Sequence, residues 1–175
     1  GNTIVLKPPS RDPLTMLKVA EIIHEAGLPA GTVSVLPMSR ELGERMVTDD
    51  RFKLLSFTGS PAVGWRMKER AGKKKVVLEL GGNAAIIVDR SADLDWAAKR
   101  AVTGAFTFSG QVCISVQRMF IHEDIWEPFM ERFVAAARAL RQGDPADATT
   151  DIGPMVDAAN AERTIGMGTS PQCRD

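Results

Sequence analysis

Apolar segments alternate with helical segments through the first half of the chain, and this alternation limits the fold more than any other feature. Helices are predicted to start at Asp12-Pro13, at Ser39 and at Pro61. Strands separated by helices pair in parallel, so the sequence predicts an α/β fold, a parallel sheet with helices on both faces. The predicted strands are residues 3–6, 33–36, 53–57 and 76–80.

The pattern starts again at Gly81-Gly82. We therefore predict one domain over residues 1–81, a second over 82–165, and an unstructured tail at 166–175, which has two glycines, a proline and few apolar residues. The elements predicted in the second domain are a strand at 84–88, a helix at 94–108, a strand at 116–121 and a helix at about 125–140.

Charge and composition disfavour several classes of partner. Lys plus Arg and Asp plus Glu both total 22, so the formal net charge is zero. The chain therefore lacks the excess positive charge that would attract nucleic acid or an anionic membrane. The sequence shows no membrane-spanning run and no signal-peptide pattern, and we expect a cytoplasmic protein. Cys113 and Cys173 are expected to be reduced, and the two histidines, His24 and His122, do not suggest a metal cluster.

Polar side chains and glycines follow two of the predicted strands, where a doubly wound sheet presents groups to a nucleotide. Lys7 and Ser10 follow the first strand, and Gly59, Ser60 and Gly64 follow the third. The helix N-terminus and the Ser60 hydroxyl suit a phosphate oxygen. The alternatives are a solvated lysine and a purely structural capping turn. The segment lacks the Gly-x-Gly-x-x-Gly fingerprint, which disfavours an ordinary Rossmann dehydrogenase.

Two side chains are candidates for catalysis. Glu79 is the acid of an apolar run that predicts a buried strand, where desolvation disfavours the charged carboxylate and suits a general base. The alternative is a strand acid held by a structural partner. Cys113 follows a glycine-containing loop after an apolar helix, a position suited to a nucleophilic thiol. The alternative is a buried structural thiol.

Four motifs in a fixed order carry a family resemblance. They are Lys7-Pro8, Phe57-Thr58-Gly59-Ser60, Glu79-Leu80-Gly81-Gly82 and Gly110-Gln111-x-Cys113. In this order they resemble the aldehyde dehydrogenase superfamily, and Asp151-Ile152-Gly153-Pro154 adds a similar segment. The resemblance covers residue 1 to about residue 160. It implies a Rossmann-like half of a cofactor-binding domain, followed by the start of an α/β catalytic domain.

The resemblance also implies a role for each motif. Cys113 adds to the carbonyl of a small-molecule aldehyde, hydride passes to the nicotinamide, and water activated by Glu79 hydrolyses the thioester. Lys7 and Ser10 contact the adenosine ribose. Many members have Glu where this chain has Ser10, and a serine does not repel the 2′-phosphate of NADP, so the cofactor is NAD or NADP. The other implied cofactor contacts are Gly59, Ser60, Gly64, Leu80 and Gly81.

Members of the family are much longer, so the chain is expected to be an internal piece of such an enzyme. An upstream oxyanion-hole asparagine and a downstream segment that holds the nicotinamide ribose are expected to lie outside it. The first hypothesis is an NAD(P)-dependent aldehyde dehydrogenase that is inactive as the isolated chain. The second is a non-catalytic remnant that self-associates, as a homo-oligomer, or binds nucleotide weakly. A cysteine hydrolase is disfavoured because no histidine lies near Cys113 in the sequence.

Overall fold

The computed structural model describes residues 1–168, which form two compact units. The first unit is Gly1–Leu80, and the second begins at Gly81. The change from one unit to the next falls at the glycine pair where the sequence pattern starts again.

Strands and helices alternate along the first unit. β1 pairs in parallel with β2, and β3 pairs in parallel with β4. The α/β class with parallel strands, predicted from the alternation, is confirmed. The elements are β1 (Ile4–Leu6), α1 (Leu14–Glu25), β2 (Val33–Val35), α2 (Arg40–Thr48), β3 (Leu54–Thr58), α3 (Pro61–Arg70) and β4 (Lys75–Glu79).

The strands of the first unit form two separate two-stranded sheets, whereas the sequence predicts a single sheet. Each pair is made by one crossover, through α1 or through α3. The connection through α2 does not bring β3 alongside β2, and no ladder joins these two strands within residues 1–168. Alternation therefore predicts parallel pairing correctly but does not fix which pairs become neighbours.

Helix starts in this unit follow two different local devices. The Ser39 hydroxyl caps α2 by accepting a hydrogen bond from the Leu42 N–H at 3.3 Å. The start of α1 predicted at Asp12-Pro13 would make Asp12 the N-cap, which is wrong, because Pro13 occupies the N-cap position in a helical conformation. Asp12 instead accepts a hydrogen bond from the Thr15 hydroxyl at 3.5 Å. The proline ring presets φ near its helical value, so α1 starts without a side-chain cap.

Residues 81–168 of the second unit form one parallel strand pair and three longer helices. β5 (Ala84–Val88) pairs with β6 (Val116–Ile121), with a register shift between Ala84 and Ala85. The connection runs through α4 (Leu94–Phe106), which Asp93 caps by accepting from the N–H groups of Asp95 and Trp96 at 3.0 and 3.1 Å. The remaining elements are short 3-10 helices at Thr107–Gly110 and Glu123–Ile125, then α5 (Trp126–Arg138) and α6 (Ala158–Gly168).

The unstructured tail that the sequence predicts from residue 166 is corrected at its start. The helix α6 extends to Gly168, so residues 166–168 are helical. The residues before them, such as Ala161, Glu162 and Arg163, have high helix propensity. The helix that they form continues past Gly166. The remaining residues of the predicted tail lie outside the described part of the chain.

The core of the second unit lies between the strand pair and the helices α4 and α5. Phe129 of α5 is fully buried against Val88 and the alanine face of α4, and its ring stacks on Phe133 with centroids 6.0 Å apart. Small side chains on α4 let the larger ring of Phe129 fill the space between the helices. The alanines of this face are Ala97, Ala98 and Ala101.

Replacing Phe129 by alanine is expected to lower the free energy of unfolding of the second unit by about 3–5 kcal/mol, because the buried ring leaves a cavity. The matched control is Phe120→Ala in β6, where the side chain is 54% exposed and the expected loss is about 0.5 kcal/mol. Urea titration followed by tryptophan fluorescence measures both variants. Equal losses would contradict the central role of Phe129.

Candidate active site

Lys7 and Ser10 meet just beyond the end of β1. The Lys7 ammonium donates to the Ser10 hydroxyl at 2.9 Å and to the Pro8 carbonyl at 3.2 Å. The stem of Lys7 lies against Gly43 of α2, where a β-carbon would be 3.1 Å from Lys7 Cδ. Sequence reasoning missed Gly43, although a glycine inside a helix is a signal of close approach by another group. The structure thus brings together two side chains of the predicted cofactor set.

Ser60 lies at the N-terminus of α3, directly after β3. Its carbonyl accepts from the N–H groups of Val63 and Gly64 at 3.1 and 3.0 Å, and its side chain makes no capping hydrogen bond. Pro61 occupies the first turn. At such a helix end, the first-turn N–H groups and the Ser60 hydroxyl can donate hydrogen bonds to a bound anion.

Gly59 and Gly64 have a packing role as well as a predicted binding role. A β-carbon at Gly59 would lie 2.5 Å from Cζ of Phe57, and one at Gly64 would lie 2.5 Å from Cδ2 of Leu80 and 3.3 Å from Cδ1 of Phe57. The Phe57 ring therefore packs against both glycines. This packing supports the structural interpretation of the turn without removing the binding one.

Glu79 ends β4 opposite Thr58, and its carbonyl accepts a hydrogen bond from the Gly59 N–H at 3.0 Å. Its side chain is exposed, as are those of Lys75 and Val77 on the same face of the strand. The prediction of a buried strand is therefore wrong for this unit. The reason is that β4 alternates between the two faces of a two-stranded sheet, and one face is left uncovered.

Cys113 lies in a loop that follows α4. The sequence predicts helix to residue 108, but α4 ends at Phe106, and the chain turns left-handed at Phe108 (φ 53°), Ser109 (φ 57°) and Gly110 (φ 72°). Left-handed conformations cost about 1–2 kcal/mol for each non-glycine residue. Neighbouring contacts must offset that cost.

Hydrogen bonds on two sides fix this loop. The buried Ser115 donates through its hydroxyl to the carbonyl of Ala105 at 3.2 Å. The Ser109 hydroxyl donates to the Gly153 carbonyl at 2.7 Å, and the Gln111 side-chain oxygen accepts from the Val156 N–H at 2.8 Å. Sequence reasoning missed Ser109 and Ser115 as loop anchors, and no local pattern relates them to their partners.

The Cys113 side chain is exposed and unpaired with any other described thiol, so the buried structural alternative does not hold. Gly82 lies against the same residue, because a β-carbon at Gly82 would overlap the Cys113 carbonyl oxygen. The last glycine of the Glu79-Leu80-Gly81-Gly82 motif is therefore required by packing, because only a residue without a β-carbon fits beside the cysteine loop.

An ion pair between Arg141 and Asp151 holds the segment that contains Gly153 and Val156. Arg141 donates to the Asp151 carboxylate through its backbone N–H at 2.9 Å and its Nε at 3.1 Å. Hydrogen bonds from the Arg141 side chain, and then from its backbone, hold the pKa of Asp151 below its ordinary value. Gln142 and Ile152 form a β-bridge beside this pair, so the segment begins from a fixed point.

The predicted site residues fall into three local groups. Lys7 contacts Ser10, Gly59 and Gly64 pack with Phe57 and Leu80, and Gly82 abuts Cys113. Gly81 is exposed at the start of the second unit. Glu79 belongs to the first unit and Cys113 to the second, and their shared role is part of the proposal below. Within residues 1–168, no group of three His, Cys, Asp or Glu side chains could hold a metal ion.

Comparisons with known proteins agree with this set of motifs. The model of the aldehyde dehydrogenase family matches residues 1–169. The chain belongs to the aldehyde dehydrogenase family. Residues of the described part form no helix with both the length and the apolar character needed to cross a membrane.

Individual relatives show how much of such a protein the chain represents. A 1-pyrroline-5-carboxylate dehydrogenase of Geobacillus sp. (strain WCH70) is 44% identical over 166 residues, and the match covers 90% of this chain and 32% of that protein. The crystal structure of aldehyde dehydrogenase 21 from Physcomitrella patens, in complex with the reaction product succinate, has 49% identity and a TM-score of 0.86, and covers 91% of this chain and 34% of its own.

A third relative carries a cofactor. The glyceraldehyde-3-phosphate dehydrogenase of Methanocaldococcus jannaschii, crystallised with NADP, has 39% identity and a TM-score of 0.86 over 94% of this chain and 37% of its own. Another structural relative, an aldehyde dehydrogenase of Sinorhizobium meliloti, is NAD-dependent, so relatives of the chain use NAD or NADP. The chain spans about a third of the length of the relatives it matches.

Replacing Gly82 by alanine is expected to displace the Cys113 loop, because the new β-carbon meets backbone that cannot rotate away. Overpacking of this kind costs about 1–3 kcal/mol. Gly166→Ala is the matched control, since nothing lies within 4 Å of a β-carbon there, and alanine should favour α6. Thermal unfolding of both variants measures the difference. An unchanged midpoint for Gly82→Ala would show that the close approach does not exist.

Proposed function

We propose that this chain carries the nucleophile, the base and part of the cofactor surface of an NAD(P)-dependent aldehyde dehydrogenase. Cys113 is the nucleophile and Glu79 is the base. The observation that carries the proposal is an exposed cysteine on an ordered loop in a chain of this family. An aldehyde can reach such a thiol, whereas it cannot reach a buried structural one.

Cys113 and Glu79 act in successive steps of the proposed reaction. The Cys113 thiolate forms a C–S bond to the aldehyde carbonyl carbon, whose oxygen takes up the negative charge. Bound NAD(P) would supply the hydride acceptor for this carbon, and Cys113 would then hold the oxidised carbon as a thioester. Glu79 then takes a proton from water, and the hydroxide adds to the thioester carbon. The C–S bond breaks, and the products are a carboxylic acid and the free thiolate.

The first unit has the chemistry that NAD(P) requires. The Lys7 ammonium and the Ser10 hydroxyl offer a cation and a polar group at the end of β1. The N-terminus of α3, with a Ser60 hydroxyl that makes no capping bond, suits the diphosphate. In this proposal Gly59, Gly64, Leu80 and Gly81 complete the cofactor surface, and the packing of Phe57 and Leu80 sets its spacing.

Ser10→Glu is expected to weaken the binding of NADP relative to NAD by about tenfold or more, because a carboxylate repels the 2′-phosphate across a short distance. Ser10→Gln is the matched control, since it has nearly the same size and no charge. Titration calorimetry with each nucleotide gives the two dissociation constants. Equal changes for NAD and NADP would place the ribose away from Ser10.

The isolated chain is expected to oxidise aldehydes negligibly. Both Glu79 and Cys113 are exposed to water in their units, and the electrostatic stabilisation of an oxyanion, whose loss typically costs about 100- to 1000-fold per donor, depends on a dry and preorganised site. The assay is NAD(P)H formation with several aldehydes, compared with Cys113→Ala and Glu79→Gln. Robust turnover that both substitutions abolish would refute the expected inactivity and support the assigned roles.

The alternative is a non-catalytic chain that binds nucleotide weakly or associates with itself. The observation in its favour is the number of apolar side chains exposed in both units, such as Leu14 at 73% and Ile87 at 80%. A homo-oligomer would cover such side chains. Nucleotide binding without Cys113-dependent chemistry would support this alternative, and sedimentation of the chain measures the association.

A further inference from the structure

We propose that Ser109 and Gln111 are positioning residues that hold the Cys113 loop through the segment 153–156. This inference rests on the proposed function, because it assigns these two side chains to the nucleophile of that reaction. Each makes one hydrogen bond to the backbone of the segment, Ser109 to the Gly153 carbonyl and Gln111 to the Val156 N–H.

The backbone of the loop supplies the reason why such support is needed. Phe108 and Ser109 are non-glycine residues in the left-handed region, and the Phe108 side chain is 75% exposed, so its own burial does not stabilise the conformation. Strained backbone persists where the surrounding contacts fix it, and it is concentrated at functional sites. The bond from Ser109 starts at one of the two strained residues.

The two bonds act on both sides of the turn. Ser109 lies within the left-handed run, and Gln111 follows it, two residues before Cys113. The Gln111 N–H also donates to the Phe108 carbonyl at 3.0 Å, which closes the turn. The side-chain bonds of Ser109 and Gln111 therefore fix the direction in which the chain enters Cys113.

The segment that receives these bonds is itself anchored. Asp151 accepts two hydrogen bonds from Arg141, and Ile152 bridges to Gln142, three and four residues after the end of α5. The support consequently runs from the end of α5, through residues 151–156, to the cysteine loop. On the other side of the loop, Gly82 abuts the Cys113 carbonyl. The cysteine is held between two backbone segments that are distant from it in the sequence.

The experiment uses the full chain with Cys173→Ser, so that Cys113 is its one remaining thiol. Gln111→Leu removes the hydrogen-bond acceptor at similar size, whereas Gln111→Glu keeps an oxygen that accepts from Val156. Ser109→Gly removes the hydroxyl but adopts the left-handed conformation readily, and it serves as the second variant if Gln111→Leu does not fold.

The first measurement is amide hydrogen exchange in the peptide that contains residues 107–115. Loss of one hydrogen bond should speed exchange there by about two- to tenfold in Gln111→Leu and in Ser109→Gly, with no change in α5. Gln111→Glu should exchange like the parent chain. Parent-like exchange in both Gln111→Leu and Ser109→Gly would overturn the proposal.

The second measurement is the rate at which an activated ester acylates Cys113, followed by mass spectrometry. We expect Gln111→Leu to slow acylation several-fold and Gln111→Glu to restore the parent rate, because a displaced nucleophile loses its attack geometry. A parent chain that is not acylated would count against the proposed function, while the exchange result would still test the support of the loop. Equal rates in the parent and Gln111→Leu would overturn the positioning role.

Discussion

Parallel pairing through a helical crossover is the constraint on which the rest of this structure depends. Within residues 1–168, each of the three strand pairs is joined through a helix, α1, α3 or α4. Both strands of such a pair end at the same edge of the sheet. The pairing of the backbones therefore brings together the residues that follow the strands, and no contact between their side chains is needed. The bond from Gly59 to the Glu79 carbonyl shows this directly, because it continues the ladder of β3 and β4 past the last strand residue.

Local pattern predicted the elements of the second unit well where apolar runs have polar ends. β5 and β6 have the bounds that their apolar runs indicate. The end of α4 was predicted two residues too late, because Phe106 and Phe108 continue the apolar pattern while the backbone turns left-handed at Phe108. A non-glycine residue rarely adopts the left-handed conformation, and its identity does not indicate when it does. A single sequence therefore does not reveal such a turn.

Burial and long-range contacts were less predictable, since they depend on which surfaces meet. The apolar run around Glu79 is compatible with a strand covered on two faces or on one, and the structure exposes one face. Gln111 and Val156 are 45 residues apart in sequence, and their bond has no local signature. The motifs nevertheless identified the family, because the residues of short segments and the order of those segments can be read directly from the sequence. Their contacts need not be known.

The packing of Phe57 affects how substitutions in the first unit should be interpreted. A β-carbon added at Gly59 would lie 2.5 Å from the Phe57 side chain, and one added at Gly64 would lie 2.5 Å from the Leu80 side chain. A larger residue at either position would push the neighbouring ring or branch aside and shift the turn that carries Ser60. Lower nucleotide affinity in such a variant would then report a change of shape, and mutational sensitivity at these glycines does not by itself identify a phosphate contact.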